Sequence, residues 1–269
     1  MNLEEYRYYI MNGAGNRFIM VLLSDHQKAP NKSQIYKMGA LLKYEFDQAI
    51  CIKKKGNNFS YTVLNKDGSE AEQCGNGARC AVELIMNTYK TNAFLLSCNA
   101  GKVDYTKRGG EIGISLGKAL NHVPTQHTAT AENSFIQIKN QKIAYHFVSL
   151  GNPHAVIFDR HGFNLSLSEI AKEFIGSGFF PEGVNVGLGR ILDSKNIELK
   201  VYERGAGETL ACGTGAAAAA ITAINFYQQQ NPTTIHMRGG NLEVEISEKN
   251  KHVWLFGPTK IEKDGAIAL

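Results

Sequence analysis

The chain has 269 residues, of which 43% are hydrophobic and 20% charged, and its formal net charge is +4. These values are typical of a globular protein with one large domain or two ordinary ones, and the charge is too small to favour nucleic-acid binding. No apolar run approaches the roughly 18 residues that a membrane helix needs, and we expect no signal peptide because the N-terminus lacks basic and apolar regions.

The first half of the sequence predicts short strands around one long helix. The strands are predicted at residues 7–10, 17–23, 46–52, 58–64, 94–98, 102–106 and 111–116. A short helix is predicted over 32–44, and a longer one from Cys74 to about Tyr89. Apolar residues in the longer helix have the i, i+3, i+4, i+7 spacing of one helix face: Ala78, Ala81, Val82 and Ile85.

The second half repeats this pattern after a segment of different composition. Residues 119–134 are rich in Asn, His, Pro, Thr and Ala, which favours a domain boundary. Strands are predicted at 135–138, 143–150, 155–158, 185–188, 197–202, 242–246 and 253–256. One helix is predicted over 166–174, with Ser166 or Ser168 as its N-cap, and another follows Cys212. We expect an N-terminal domain over 1–118, joined by the tail 258–269, and a C-terminal domain over 119–257.

Two cysteines occupy matching places in the two halves. Cys74 precedes Gly75-Asn76-Gly77, Cys212 precedes Gly213-Thr214-Gly215, and each turn opens a predicted helix. The similarity extends over 63–89 and 201–227, and Gly15-Asn16 recurs as Gly151-Asn152 at nearly the same offset. A duplicated fold explains this better than chance similarity between two glycine-rich turns. At helix N-termini, unpaired N–H groups and the helix dipole favour a thiolate and bind anions.

Two such thiols can carry out acid–base chemistry at carbon. A thiolate on one side of a stereocentre takes a proton, and a thiol on the other side returns one, which inverts the centre. The two Gly-x-Gly turns offer backbone N–H groups to a substrate carboxylate. The sequence shows neither the ligand spacing of a metal site nor a phosphate loop or lysine context for pyridoxal phosphate. We therefore expect no cofactor and no metal.

Eight short motifs carry a family resemblance. They are Gly13-Ala14-Gly15-Asn16, Phe46-Asp47-Gln48, Asn65-Lys66-Asp67-Gly68-Ser69-Glu70, Gln73-Cys74-Gly75-Asn76-Gly77-Ala78-Arg79-Cys80, Gly151-Asn152-Pro153-His154, Pro181-Glu182-Gly183-Val184-Asn185-Val186, Tyr202-Glu203-Arg204-Gly205-Ala206-Gly207-Glu208-Thr209 and Ala211-Cys212-Gly213-Thr214-Gly215. In order and spacing they resemble the diaminopimelate epimerase family over nearly the whole chain. The resemblance implies an α/β fold of the α+β type with two pseudo-symmetric halves, each a curved, mainly antiparallel sheet wrapped around a central helix. It also implies cofactor-independent epimerisation of LL-2,6-diaminopimelate to meso-diaminopimelate, in lysine and peptidoglycan precursor biosynthesis.

The resemblance assigns roles to individual residues. Cys74 and Cys212 would be the acid–base pair, assisted by His154 and Glu203, and the family pattern makes Cys212 the base from LL to meso. The positions that match substrate-binding ones are Asn16, Gln48, Asn65, Gly75, Asn76, Asn152, Asn185, Glu203, Arg204, Gly213 and Thr214. Diaminopimelate has a second amino-acid end. Arg204 is suited to its carboxylate, and Glu203 or the asparagines to its ammonium group.

Two other functions remain open. A proline-racemase-like isomerase would share the fold, but its small substrate has no distant end for Asn65, Asn185 and the Glu203-Arg204 pair to hold. A dithiol redox protein could use the two cysteines, although redox pairs usually share one CxxC turn.

The remaining expectations concern partners and the other cysteines. We expect a homodimer with a small-molecule substrate and without nucleic-acid or membrane partners, although Lys263 stands where some family members have a dimer-contacting aromatic residue. Arg17 stands where Asp usually follows Gly-Asn. Cys51, Cys80 and Cys98 are predicted in the core. Five cysteines without disulfide-like spacing fit free thiols in a reducing cytoplasm.

Overall fold

The computed structural model describes residues 4–71, 74–120, 134–159 and 165–269. The chain forms two compact units, Met1–Ile114 with Gly257–Leu269, and Ser115–Phe256. Most of the segment expected as a domain boundary, at 119–134, lies outside the described residues. Within the described ranges, no helix combines the length and the hydropathy of a membrane span.

The secondary structure is mixed, with short strands and four helices in the described ranges. The strands are β1 (Glu5–Gly13), β2 (Asn16–Leu23), β3 (Gln48–Lys55), β4 (Asn58–Asn65), β5 (Glu70–Ala71), β6 (Leu95–Cys98), β7 (Gly101–Lys102), β8 (Tyr105–Arg108), β9 (Glu111–Lys118), β10 (Ser134–Ile138), β11 (Gln141–Ser149), β12 (Pro153–Phe158), β13 (Asn185–Ile191), β14 (Asn196–Glu203), β15 (Gly207–Thr209), β16 (Thr233–Met237), β17 (Gly240–Ile246), β18 (His252–Gly257) and β19 (Lys260–Ala268). The helices are α1 (Lys32–Leu42), α2 (Gly75–Tyr89), α3 (Leu167–Gly176) and α4 (Gly213–Phe226).

The sheet of the first unit has the order β19-β1-β2-β3-β4-β6-β7, with β5 beside β4. The pairs β1–β2 and β3–β4 are antiparallel, whereas β2–β3 and β4–β6 are parallel. Parallel neighbours need a crossover connection, and α1 and α2 lie in these two connections. The C-terminal strand β19 pairs with β1, so the tail completes the sheet of the first unit.

The second unit repeats these pairings in the strands from β10 to β16. The pairs β11–β12 and β13–β14 are antiparallel, β12–β13 and β14–β16 are parallel, and β15 lies beside β14. The crossover helices are α3 and α4, and β10 takes the place of β19 beside β11. This identity of pairing, together with the fold relationship reported below, confirms the predicted two pseudo-symmetric α+β halves.

Helices pack against the sheet of each half. Since successive side chains of a strand point to opposite faces of the sheet, neighbouring residues of one strand contact different helices. In the first unit, Ile19 packs in one cluster with Ile35 of α1, whereas Phe18 lies next to Gly77 of α2. In the second unit, α4 packs against β11, β12, β13, β14, β16 and β17, so that sheet wraps around the helix. Residues Ala216–Ala220 are all fully buried. Their small side chains let the helix lie deep within the half.

The helix ends largely follow the sequence. Ser166 caps α3 in a capping box with Glu169, which confirms one of the two predicted caps. The helix predicted to reach residue 44 is shorter because Lys43 adopts left-handed backbone angles (φ 49°, ψ 40°) and its N–H bonds to Ala40 O.

Several details of the structure differ from the sequence interpretation. The strand predicted at 102–106 is split between β7 and β8, and no strands were predicted at β5, β15, β16 and β19. Cys51 and Cys80 are buried as predicted, but Cys98 is only half-buried. Arg17, which departs from the family pattern, forms ion pairs with Glu45 at 3.5 Å and Asp47 at 3.7 Å.

Candidate active site

The two singled-out cysteines cap their helices with the same geometry. Cys74 has φ −133° and ψ 112°, and Cys212 has φ −137° and ψ 111°. In each, the sulfur accepts a hydrogen bond from the backbone N–H three residues later, Gly77 or Gly215, at 3.4 Å. Both sulfurs therefore lie at the positive end of a helix, and this position stabilises the thiolate form of a cysteine.

Glycine allows close packing three residues after each cysteine. A Cβ on Gly77 would clash with Ile50 Cδ1, and one on Gly215 would lie 3.0 Å from Val201 Cγ2, so that either side chain would have to shift. Ile50 belongs to β3, which packs against α2, and Val201 belongs to β14, which packs against α4. The glycines thus allow the first turn of each helix to approach the sheet while its amide bonds to sulfur.

The first unit gathers its predicted substrate-binding residues beside Cys74. Asn16 begins β2, Gln48 begins β3 and Asn65 ends β4, and the register pairs Gln48 with Asn65. Gln48 Nε2 donates to Asn65 Oδ1 at 2.9 Å, and Asn76 Nδ2, in the first turn of α2, donates to Asn16 Oδ1. Asn16, Gln48, Asn65 and the turn Gly75–Asn76 therefore lie at one edge of this sheet.

The second unit repeats the arrangement with different side chains. Asn152 precedes β12, Asn185 begins β13 and Glu203 ends β14. Asn185 Oδ1 accepts the N–H of Arg204 at 2.9 Å, which ties two of the proposed substrate-binding residues together. Arg204 Nη1 donates to the Glu182 carbonyl, so among the described residues it forms no side-chain ion pair.

A chain of polar contacts runs from Cys212 to a buried histidine. Cys212 Sγ lies 3.7 Å from Thr214 Oγ1, which accepts Asn152 Nδ2 at 3.2 Å. Asn152 Oδ1 in turn lies 3.2 Å from His154 Nε2. Burial lowers the pKa of His154 to about 3, so the imidazole is neutral near pH 7. His154 thus orients Asn152 as a neutral hydrogen-bond donor.

Glu203 is a charged group that raises the pKa of Cys212. Burial raises the pKa of Cys212, and the nearby Glu203 carboxylate raises it further, against smaller opposing hydrogen bonds from Gly215 and Thr214. Thr209 Oγ1 donates to Glu203 Oε1 and so holds the carboxylate in place. The second unit therefore favours a proton on Cys212.

The sequence analysis did not single out Thr209 or Arg79. Thr209 was visible only as part of a motif, and the hydroxyl contact depends on the hairpin of β14 and β15. Arg79 lies in α2 and is fully buried.

Glu208 forms an ion pair with Arg238 at 2.8 Å, whereas its repeat partner Glu70 accepts a hydrogen bond from Asn99 Nδ2. No three His, Cys, Asp or Glu side chains in the described ranges cluster as a metal site.

Comparison with known proteins places these features in a family context. A family model for diaminopimelate epimerase matches residues 8–120 and 146–261. The diaminopimelate epimerase of Pseudomonas savastanoi pv. phaseolicola is 32% identical over 273 residues, which cover 98% of this chain and 99% of that protein. The Nitrosomonas europaea protein of the same name is 32% identical over 271 residues, covering 96% and 98%.

Solved structures show the same fold at lower sequence identity. A hydroxyproline epimerase from Agrobacterium vitis superposes with a TM-score of 0.68 and 12% identity, covering 100% of this chain and 94% of that one. A phenazine biosynthesis PhzF family protein from Enterococcus faecalis has a TM-score of 0.65 and 17% identity, covering 99% and 100%. At these identities the likeness concerns the fold.

Proposed function

The chain belongs to the diaminopimelate epimerase family, and we infer from this membership that it interconverts LL- and meso-diaminopimelate. It is an amino-acid epimerase of the isomerase class, and its reaction supplies lysine and peptidoglycan precursor biosynthesis. The matching relatives are related over nearly their whole length, so the inference applies to the full chain.

Cys74 and Cys212 act as the acid–base pair in this proposal. The thiolate of one takes the α-proton and becomes a thiol, while the electron pair of the broken C–H bond spreads onto the substrate carboxylate. The thiol of the other gives its proton to the opposite face of the α-carbon and becomes a thiolate. The observation that supports this most directly is the matched N-cap geometry of the two sulfurs.

Backbone amides stabilise the charge that builds up on the carboxylate. The N–H groups of Gly75 and Asn76, and of Gly213 and Thr214, belong to the first turns of their helices and have no intrahelical partner. Fixed donors of this kind are strongest for charge that appears only in the transition state. The proposal thus needs no cofactor as an electron sink.

Selectivity for diaminopimelate rests on its distant amino-acid end. Asn65, Asn185, Glu203 and Arg204 offer an amide, a carboxylate and a guanidinium group for a carboxylate and an ammonium group. A shorter amino acid would leave these groups unpaired, which strongly disfavours its binding. This argues against a proline-racemase-like substrate, despite the shared fold.

His154 and Glu203 assist without exchanging the α-proton themselves. The negative charge of the nearby Glu203 carboxylate stabilises the protonated form of Cys212. His154 holds Asn152, which contacts Thr214 beside the same sulfur. We also propose that the enzyme is cytoplasmic, because five free thiols suit a reducing compartment. We propose a homodimer as well, on the family resemblance alone.

The test is α-proton exchange in deuterated water. Reduced protein is incubated with LL-diaminopimelate without added cofactor, and deuterium uptake and the meso form are followed together. We expect both in the wild-type protein and the loss of epimerisation in Cys74→Ser and Cys212→Ser. Cys98→Ser is the matched control, because Cys98 is a half-buried thiol of the same unit outside the site.

The outcomes separate the competing functions. Full turnover by Cys74→Ser would refute the two-thiol mechanism. Absence of exchange in a folded, reduced wild-type sample, with exchange of proline or hydroxyproline instead, would support the racemase alternative. A reversible Cys74–Cys212 disulfide in a protein that exchanges no amino-acid proton would support the redox alternative.

A further inference from the structure

A buried arginine in α2 has no described partner and no role in the proposed mechanism. The Arg79 side chain is fully buried, and Nε, Nη1 and Nη2 all lack a hydrogen-bond partner within the described ranges. Arginine keeps its charge in proteins. A buried, unpaired charge is strongly destabilising, and buried charges are otherwise paired. We therefore expect a nearby anion to balance the charge of the guanidinium group.

Three groups interact electrostatically with Arg79, namely Cys80, Cys74 and Glu111. Cys80 is fully buried, and burial raises its pKa to about 12, so it is neutral near pH 7. Glu111 is exposed at the start of β9, where water and salt screen its charge. Cys74 is half-buried, caps the same helix and accepts the Gly77 N–H. It is the group best suited to become the anion.

The internal repeat shows that this cation belongs to one half only. Arg79 corresponds to Ala217 in α4, which is also fully buried. Asn65 at the end of β4 corresponds to Glu203 at the end of β14. At these corresponding positions, the half with Cys74 thus has a buried cation and a neutral amide, while the half with Cys212 has a methyl group and a carboxylate. Both differences favour the same distribution of charge.

We propose that Arg79 is the buried counter-charge that holds Cys74 as the thiolate in the free enzyme, while Cys212 carries the proton. Arg79 is a positioning residue that acts through Cys74. The idea deepens the proposed function, because it specifies which thiol is the base before substrate binds. With the family assignment of Cys212 as base from LL to meso, the free enzyme rests in the form that accepts the meso isomer.

The experiment measures the reactivity of Cys74 towards iodoacetamide as a function of pH. A Cys212→Ser background removes the other active thiol, and mass spectrometry of the Cys74 peptide excludes signal from the remaining cysteines. The midpoint of the rate profile reports thiolate formation independently of accessibility. Arg79→Met should move this midpoint at least about one pH unit upward, which slows labelling about tenfold at pH values below both midpoints. Arg79→Lys should restore most of the shift.

The controls separate charge from structure. Arg7→Met removes an exposed arginine of the same unit and should leave the midpoint unchanged. Removing one partner of a buried charge pair is destabilising when the other charge is left unpaired, but Cys74 can take up a proton when the cation is lost. Denaturant unfolding of Arg79→Met and its parent is therefore measured beside the labelling, and the midpoints are compared on folded protein. A merely structural arginine would change stability and leave the midpoint in place.

Wild-type protein provides a measurement that needs no Arg79 variant. The midpoint of Cys74 labelling should lie at least about one pH unit below that of Cys212. An equal or higher midpoint for Cys74 would overturn the proposal, as would an unchanged midpoint in folded Arg79→Met. These results do not depend on the substrate, so a failure here is distinguishable from a failure to epimerise diaminopimelate.

Discussion

Replacing Glu203 by Gln should make the Cys212 thiol more acidic. The carboxylate raises the pKa of Cys212 chiefly through its negative charge. Glutamine keeps the length of the side chain and an oxygen that can accept the Thr209 hydroxyl, so the substitution removes charge with little change in shape. The expected effect is therefore electrostatic.

The size of the effect follows from Coulomb's law. Two unit charges about 4 Å apart interact by about 4 kcal/mol at an effective dielectric constant of about 20. One pKa unit corresponds to about 1.4 kcal/mol, which sets an upper limit of about 3 units. Glu203 is partly exposed, and water screens its charge. We therefore expect the pKa of Cys212 to fall by about 1 to 2 units in Glu203→Gln.

The assay is the pH profile of Cys212 alkylation in a Cys74→Ser background. Glu208→Gln is the matched control, because Glu208 lies in the same unit but is engaged in an ion pair with Arg238. Its substitution should leave the Cys212 profile unchanged. Epimerisation by Glu203→Gln with both cysteines present should fall at least about tenfold, because the carboxylate that favours a proton on Cys212 is lost from the site.

Two results would refute this reasoning. If the Cys212 profile of Glu203→Gln coincides with that of its parent, the carboxylate does not control the thiol. If Glu208→Gln moves the profile equally, the effect belongs to the net charge of the unit and not to a contact at the site.

Two further predictions concern backbone geometry and pH. Gly77→Ala should lower epimerisation at least about tenfold and destabilise the protein by about 1 to 3 kcal/mol, because the new methyl group overpacks against Ile50. Turnover and denaturant unfolding measure these two effects. Gly176→Ala is the control and should change neither, because its methyl group would meet nothing within 4 Å. His154 has a folded pKa of about 3, below the usual 6.5, so the unfolded chain binds the extra proton and this residue lowers stability as pH falls from 6.5 towards 3. His154→Phe, which copies Phe18 at the equivalent position of the first half, should lose about 2 kcal/mol less stability between pH 7 and pH 5 than wild type. An equal loss in both proteins would show that His154 is not the source.

The sequence predicted the helices and the paired cysteines because those signals are local. A cysteine before Gly-x-Gly and an apolar face at helical spacing are both visible within a few residues of Cys74. The duplication then extended the same interpretation to Cys212. The structure adds that both sulfurs accept an amide hydrogen at the same distance, which no spacing could give.

Other features depend on contacts between distant segments and were not predictable in the same way. β16 was missed, although its buried and partly exposed positions alternate, because only Ile235 and Met237 among its five residues are apolar. Arg79 follows directly after an apolar position of α2, and a sequence pattern cannot show whether such an arginine reaches water. Cys98 was assigned to the core from apolar neighbours, but it lies at the end of the short strand β6 and remains half-exposed.

The two halves therefore share a backbone device and differ in charge, and this difference can be tested as a whole. Arg79→Met and Glu203→Gln act on different thiols in different units, so their effects should add in the double variant. The Cys74 profile should move to higher pH and the Cys212 profile to lower pH by the amounts seen in the single variants. At pH 7, the ratio of Cys74 labelling to Cys212 labelling should fall in the double variant by the product of the two single-variant factors. Light and heavy iodoacetamide, compared by mass spectrometry on one sample, measure this ratio directly. If the ratio keeps its wild-type value in the folded double variant, charge does not set the reactivity of the two thiols.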